Sequence, residues 1–241
     1  MRVTEKIEKR VLQMSPGNTF NYQELGIAPS EYVAAAKAIE RLIKKDIIER
    51  ASTGLFYIPK KTAFGSLKPT EEELLKPYLF NGNNRIAYIT GTALFNKMGI
   101  TTQVPKNIKL ASRDKRIVTK VGSIQVKSVK SYLEVTNENY YLLELLDVIK
   151  DFKTIPDTDK TQTIRFLLNK IKTLSDKDKD TFIKIVLKYP PRVRALTGAL
   201  LTKLDKNKSL QELKKSINPL TIYKFGITPQ QLSTIEDWNI R

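Results

Sequence analysis

Residues 20–60 constrain the fold of this chain most strongly, because they predict several local structures in a fixed order. A short helix and a Gly-containing turn come first, and a longer helix that Pro29 opens follows them. Two runs of β-branched and aromatic residues then flank the triplet Ser52-Thr53-Gly54, which predicts a tight hairpin. Helix, turn, helix and hairpin in this order are typical of a winged helix-turn-helix, whose second helix lies in the major groove of DNA.

The longer helix is predicted to have an apolar side and a charged side. Its apolar residues recur at helical spacing, as in a helix that packs on one face. They are Ala35, Ala38, Ile39, Leu42 and Ile43. We expect the helix to end at Asp46, a residue type that tolerates left-handed backbone. Another amphipathic segment, residues 3–14, ends at a Ser-Pro-Gly-Asn run and predicts the first helix of a three-helix core.

The charged side of the longer helix supplies the first group of candidate DNA contacts. Lys37 and Arg41 are the strongest candidates, because long cationic side chains reach base edges or phosphates. The alternative for Arg41 is an ion pair with Glu40 or Glu49 on a solvated surface. The other residues predicted on or beside this helix face are Ser30, Glu31 and Ala34.

The hairpin, or wing, supplies a second group of candidate contacts. Cations and hydroxyls on a hairpin suit contacts to phosphates, which carry little sequence information. The residues of this kind are Arg50, Ser52, Thr53 and Lys60. In the short helix, Asn21 and Tyr22 are predicted to add one more contact to the DNA backbone.

Charge and composition narrow the possible functions. The formal net charge is +17 and the sequence pI is about 9.8, which favours a polyanionic partner such as nucleic acid, although surface lysines also serve solubility. The chain contains neither Cys nor His, and this excludes the usual Zn sites, Ser-His-Asp and Cys-His nucleophiles and imidazole acid–base catalysis. It also has no Gly-rich phosphate loop. We therefore expect no catalytic residues, no metal and no cofactor.

A second basic segment lies between Lys106 and Lys130. It contains eight Lys or Arg residues and one acid, Asp114, for a local balance of +7. Strand alternation can place several of these cations on one face, where they form either a solvated sheet surface or a second binding surface. The candidates for such a second basic surface are Lys109, Arg113, Lys115, Arg116 and Lys120.

The whole pattern predicts an α+β protein with two regions. Residues 1–62 would form the winged helix-turn-helix, and residues 63–241 a second domain that is mixed α/β to about residue 135 and mainly helical afterwards. Residues 63–69 are expected to be a linker or domain entry, and Trp238 a packing anchor for the C-terminal segment. The sequence has no long apolar stretch and no signal-peptide core, so a cytoplasmic protein without a membrane partner is expected.

Four segments together resemble the AbiEi family, the antitoxins of AbiE-type (type IV) toxin–antitoxin and abortive-infection systems. They are residues 38–60, 88–105, the basic strands that follow, and 189–201. The most specific match is the run Gly-Ile-Thr-Thr-Gln-Val-Pro at 99–105. The chain departs from the family pattern at Asp46, where a Gly is usual, and this affects the end of the helix more than the function.

The resemblance implies a non-enzymatic antitoxin that acts in phage defence. Its winged helix would bind inverted repeats in the double-stranded DNA of its own promoter and repress the operon. Residues 63–241 would counteract a nucleotidyltransferase-like toxin, with or without direct contact. The alternative is a stand-alone winged-helix transcriptional regulator with a ligand-binding or dimerising C-terminal domain. An enzyme acting on nucleic acid and a protein scaffold are weaker alternatives.

Overall fold

The computed structural model describes residues 2–205 and 210–241, and the predicted α+β class is confirmed. N-terminal helices with a small sheet precede a central β region and a helical C-terminal region. The chain divides into two compact units. Unit 1 comprises Met1–Asn83 and Val118–Val126, and unit 2 comprises Asn84–Ile117 and Lys127–Arg241. The domain boundary after residue 62 stays a prediction.

The described elements have the following bounds. The α-helices are α1 (Val3–Leu12), α2 (Tyr32–Lys44), α3 (Glu71–Leu79), α4 (Thr92–Lys97), α5 (Tyr140–Asp151), α6 (Lys160–Lys172), α7 (Asp176–Val186), α8 (Pro191–Leu204) and α9 (Gln211–Lys215). The strands are β1 (Thr19–Asn21), β2 (Glu49–Ser52), β3 (Leu55–Tyr57), β4 (Lys60–Thr62), β5 (Gly65–Leu67), β6 (Phe80–Asn81), β7 (Asn84–Arg85), β8 (Tyr88–Thr90), β9 (Asn107–Ser112), β10 (Thr119–Val121) and β11 (Ile124–Lys130). Short 3-10 turns lie at Pro29–Glu31 and Glu236–Trp238.

Unit 1 combines N-terminal helices with a small sheet around its own hydrophobic core. Helix α2 packs on α1, and the antiparallel sheet has the order β1-β3-β2, with Phe20 opposite Phe56. The predicted apolar face of α2 is confirmed, because four of its residues are buried and Ile43 packs against them. Asp46 has a φ of 52°, which confirms that the helix ends in left-handed backbone there.

The short helix predicted after Phe20 was wrong. Strand β1 occupies Thr19–Asn21, and only turns follow it before Gly26, including a hydrogen bond of 3.3 Å from the Leu25 N–H to the Asn21 carbonyl. The Asn21 side-chain oxygen accepts hydrogen bonds from the N–H groups of Gln23 and Glu24, which gives this backbone an alternative to helix. The turn, the longer helix and the hairpin that follow are as predicted.

Residues 63–69, predicted to be a linker or domain entry, contain strand β5 at Gly65–Leu67. Strands β4 and β5 form an antiparallel hairpin in which Thr62 lies opposite Gly65. The Thr62 hydroxyl donates to the Gly65 carbonyl at 2.8 Å and closes the turn. The hairpin is short and exposed, so its sequence lacks the alternation of buried and exposed residues by which a strand is recognised.

Unit 2 is built around α8, most of which is buried. Helices α5, α6, α7 and α9 pack against α8, and β8 pairs antiparallel with β9. Trp238 is 2% exposed, which confirms its predicted role as a packing anchor. Its ring covers Gly198 so closely that a Cβ atom there would lie 2.3 Å from the ring, and its indole N–H donates to the Thr202 hydroxyl.

Within residues 2–205 and 210–241, no helix is both long enough and apolar enough to cross a bilayer.

Candidate nucleic-acid interface

Helix α2 is held so that one side faces the core and the other faces solvent. The 3-10 turn at Pro29–Glu31 starts it, and the Glu31 carboxylate accepts a hydrogen bond of 3.1 Å from the Ala28 N–H. Buried Ala35 and Ala38 keep the inner side slim where α2 packs on α1. Glu31 was a predicted DNA contact, but its carboxylate is already used to cap this turn.

The outer side of α2 carries the strongest predicted contacts. Lys37, Arg41 and Lys44 are exposed and project from successive turns, since residues three and four apart in a helix are neighbours. Ser30 and Ala34 are also exposed, at and before the first turn of the helix. We call Lys37, Arg41 and Lys44 the cationic stripe.

The alternative for Arg41 was an ion pair with a neighbouring glutamate. Within the described part of the chain, Arg41 forms no ion pair with Glu40 or Glu49. Glu49 instead accepts a hydrogen bond from the Tyr57 hydroxyl. Burial, together with this bond to Glu49, raises the pKa of Tyr57 to about 12, so the hydroxyl stays protonated and keeps donating at neutral pH. The Arg41 guanidinium remains available to a ligand.

The predicted wing contacts differ in position and in exposure to solvent. Arg50 and Thr53 are exposed, and the Arg50 guanidinium lies 5.6 Å from the centre of the Phe56 ring. Lys60 is exposed, but it was wrongly assigned to the wing: it begins β4, which pairs with β5 and not with β2 or β3. The Ser52 hydroxyl oxygen is buried and has no hydrogen-bond partner within the described residues, so it does not face a DNA backbone in this conformation.

The two predicted contacts at the end of β1 serve the fold. The Asn21 side-chain oxygen holds the backbone turn described above. The Tyr22 ring packs edge-on against Phe56 at 5.5 Å and against Tyr32 at 5.8 Å. Asn21 and Tyr22 could contact DNA only through atoms that these hydrogen bonds and ring contacts do not already use.

The predicted second basic surface is divided between the two units. Lys120 belongs to unit 1, where β10 lies beside β2 and the Gly122 N–H donates to the Ala51 carbonyl at 3.1 Å. Unit 2 contains the remaining four, which are Lys109, Arg113, Lys115 and Arg116, and all of them are exposed. Arg113 and Lys115 line a cleft of about 80 Å³ that also contains Asp114 and Glu134, so acids reduce the local positive charge.

Unit 2 holds a buried polar cluster that the sequence did not predict. Asp147, which is 1% exposed, accepts hydrogen bonds from the Tyr88 hydroxyl at 3.0 Å, the Thr90 hydroxyl at 2.5 Å and the Lys150 ammonium at 2.6 Å. We call these four residues the Asp147 network. Burial, and then the nearby Asp147 charge, raises the pKa of Tyr88 far above its usual value. Tyr88 therefore stays a donor, and the network is suited to holding β8 on α5.

Glu144 lies one turn before Asp147 on α5, and its partly buried environment disfavours the ionised carboxylate. Burial raises its pKa to about 7, and Lys97 and Arg85 oppose that rise. Because the pKa of Glu144 in the folded protein lies above its usual value, the free energy of unfolding should decrease as the pH rises from about 4.5 towards 7.

Across residues 2–205 and 210–241, Asp and Glu do not gather in a group of three or more that could hold a metal ion.

The wing prediction concerns the salt dependence of binding. Replacing Arg50 and Lys60 together by Ala should weaken binding to specific and unrelated duplexes alike, because phosphate contacts carry no sequence information. The slope of log affinity against log salt should become shallower by roughly one to two phosphate equivalents. Fluorescence anisotropy titrations at several salt concentrations measure that slope.

A matched control removes two cations from unit 2, by replacing the exposed Lys184 and Lys188 with Ala. This pair changes the net charge equally and should leave the slope close to that of the parent. If the Arg50 and Lys60 variant keeps the parental slope, these two residues do not contact phosphates.

The fold places this chain in the class of α+β proteins, with N-terminal helices and a small sheet, a central β region and a helical C-terminal region. Residues 6–183 match the family described as DUF6088, a family of unknown function, and the chain belongs to that family. No curated protein matches it. It is similar to the crystal structure of the RV2827C protein from Mycobacterium tuberculosis, with a TM-score of 0.52 and 8% sequence identity over 99% of this chain and 90% of that chain. At this identity the likeness shows the fold alone.

Proposed function

We propose that this protein is a cytoplasmic, DNA-binding antitoxin of the AbiEi kind, which represses its own operon and opposes a nucleotidyltransferase-like toxin without being an enzyme. The observation that carries the DNA-binding half is the cationic stripe on the outer side of α2. A helix that packs on its neighbour through alanines and presents Lys37 and Arg41 to solvent can enter a major groove. The net charge of +17 supplies the long-range attraction to a polyanion.

The antitoxin half of the proposal is supported by the resemblance of residues 88–105 and 189–201 to the AbiEi pattern. In unit 2 these segments contribute β8, α4 and all but the last turn of α8, which are packed into one core with α5. A stand-alone regulator would share the winged helix, so only an assay with a toxin distinguishes it from an antitoxin.

The test of the DNA-binding half uses the DNA upstream of the gene itself. Anisotropy titrations should show binding that is at least roughly 1,000-fold tighter than to a shuffled duplex of equal length at the same salt concentration. Footprinting should protect two half-sites related by an inverted repeat. Equal affinity for the two duplexes would show that the protein is not an operator-binding repressor.

The test of the antitoxin half measures growth of cells that express a neighbouring nucleotidyltransferase gene. Co-expression of this protein should relieve growth arrest, and the triple variant in which Arg113, Lys115 and Arg116 become Gln should lose relief or lose promoter affinity. If the triple variant is normal in both assays, those residues are a solvated face. If the parent gives no relief but binds its promoter, the stand-alone regulator is the better description.

A further inference from the structure

The first turn of α2 exposes apolar side chains next to the cationic stripe. Val33 is 73% exposed and Tyr32 is 41% exposed, and Ala34 beside them is exposed as well. A single exposed apolar residue is ordinary on a protein surface. Here, however, the apolar residues are consecutive and lie where a recognition helix meets base edges.

The fold gives Val33 no packing role. The buried residues of α2, including Ala35 and Leu42, lie on the opposite side of the helix from Val33. A β-branched residue also lowers helix propensity slightly, so an exposed Val is unfavourable for local structure. Helix stability and core packing therefore do not account for Val at this position, and contact with a ligand would.

The charges around Val33 indicate what kind of ligand it would meet. Lys37 lies one turn further along the same side, and Lys44 lies three turns along it. Glu40 is the acid on this side, and it is outnumbered by the three residues of the cationic stripe. The same face of a second copy would carry the same positive charge and be repelled, whereas DNA would be attracted.

We propose that Val33 reads thymine in the major groove, by contacting the C5-methyl group of an A·T pair. This inference rests on the proposed function. The thymine methyl is the apolar group that the major groove presents, and an apolar side chain is its natural partner. Val33 is thus a specificity-determining residue, whereas cations such as Lys37 also supply affinity that is independent of sequence.

The experiment is a double-mutant cycle, in which the thymine methyl group is removed from the DNA and the Val33 side chain is shortened in the protein, separately and together. Each thymine of one protected half-site is replaced in turn by deoxyuridine, which pairs identically but lacks the methyl. The parent should bind about three- to tenfold more weakly at one of these positions, as expected for the loss of one buried methyl contact. Val33→Ala should bind the unmodified duplex more weakly by a similar factor and should not respond further to that deoxyuridine.

Other outcomes overturn the inference in distinguishable ways. If the parent binds its operator specifically but tolerates deoxyuridine at every position, the thymine contact is wrong and the proposed function stands. If the two changes are additive and Val33→Ala lowers the oligomeric state in sedimentation, Val33 contacts a second copy instead. If the parent shows no specific binding, the proposed function and this inference fail together. Circular dichroism should show unchanged folding, because Ala is the stronger helix former.

Discussion

Replacing Lys37 and Arg41 together by Ala should weaken binding to the upstream DNA by at least roughly 30-fold at fixed salt. The reason is that both side chains are exposed on the outer side of α2, and Arg41 has no ion pair with a described neighbour. Each base contact of this kind contributes about 1–3 kcal/mol of discrimination. Anisotropy titrations with the operator and with a shuffled duplex measure both the affinity and the specificity ratio.

The specificity ratio separates this variant from the wing variant. Loss of base contacts by Lys37 and Arg41 should lower the ratio, whereas loss of phosphate contacts should lower both affinities and preserve it. The pair of Lys184→Ala and Lys188→Ala again serves as the control of equal charge. The thermal midpoint should stay within a few degrees of the parent, because Ala is well tolerated at exposed helical positions. Parental binding by the double variant would mean that α2 is not the element that reads DNA.

The sequence predicts the parts of this fold whose cause is local. The apolar face of α2 follows from helical spacing, and the left-handed backbone at Asp46 follows from the residue type at a helix end. Likewise Thr70 precedes a run of glutamates, and its hydroxyl accepts a hydrogen bond of 3.3 Å from the Glu73 N–H as an N-cap. Each of these features is determined within a few residues of where it occurs.

The features that were missed depend on partners distant in the sequence. Strand β1 exists because β3 pairs with it some 35 residues later, and residues 20–25 alone resemble the start of a helix just as well. The burial of the Ser52 hydroxyl is also a consequence of tertiary packing. On the candidate DNA interface, Val33 could have been found, because it lies opposite the predicted apolar face.

Asp147 was missed for a similar reason. It interrupts an apolar run in α5, which indicates a helix with one polar residue on its inner side, but the sequence does not show which groups meet that residue. Tyr88 and Thr90 come from β8, almost sixty residues earlier. Only the packing of β8 on α5 brings these donors to one carboxylate.

The strongest effect on stability is expected from Asp147→Ala. This change removes the acceptor of two buried hydroxyls and leaves the Lys150 ammonium, 15% exposed in its side chain, without its partner. Removing one member of a buried ion pair costs about 3–5 kcal/mol, and unmatched hydroxyl donors add to the loss. We therefore expect the free energy of unfolding of unit 2 to fall by at least roughly 3 kcal/mol.

Trp238 makes this prediction measurable, because it is the only tryptophan in the sequence and is buried in unit 2. Its fluorescence in urea titrations reports the unfolding of that unit. Asp114→Ala removes the same side chain from an exposed turn and should change stability by less than about 0.5 kcal/mol. Asp147→Asn keeps an acceptor oxygen but not the charge, so it should lie between Asp147→Ala and the parent. If Asp147→Ala unfolds at the same urea concentration as Asp114→Ala, the network does not hold β8 on α5, and packing alone sustains unit 2.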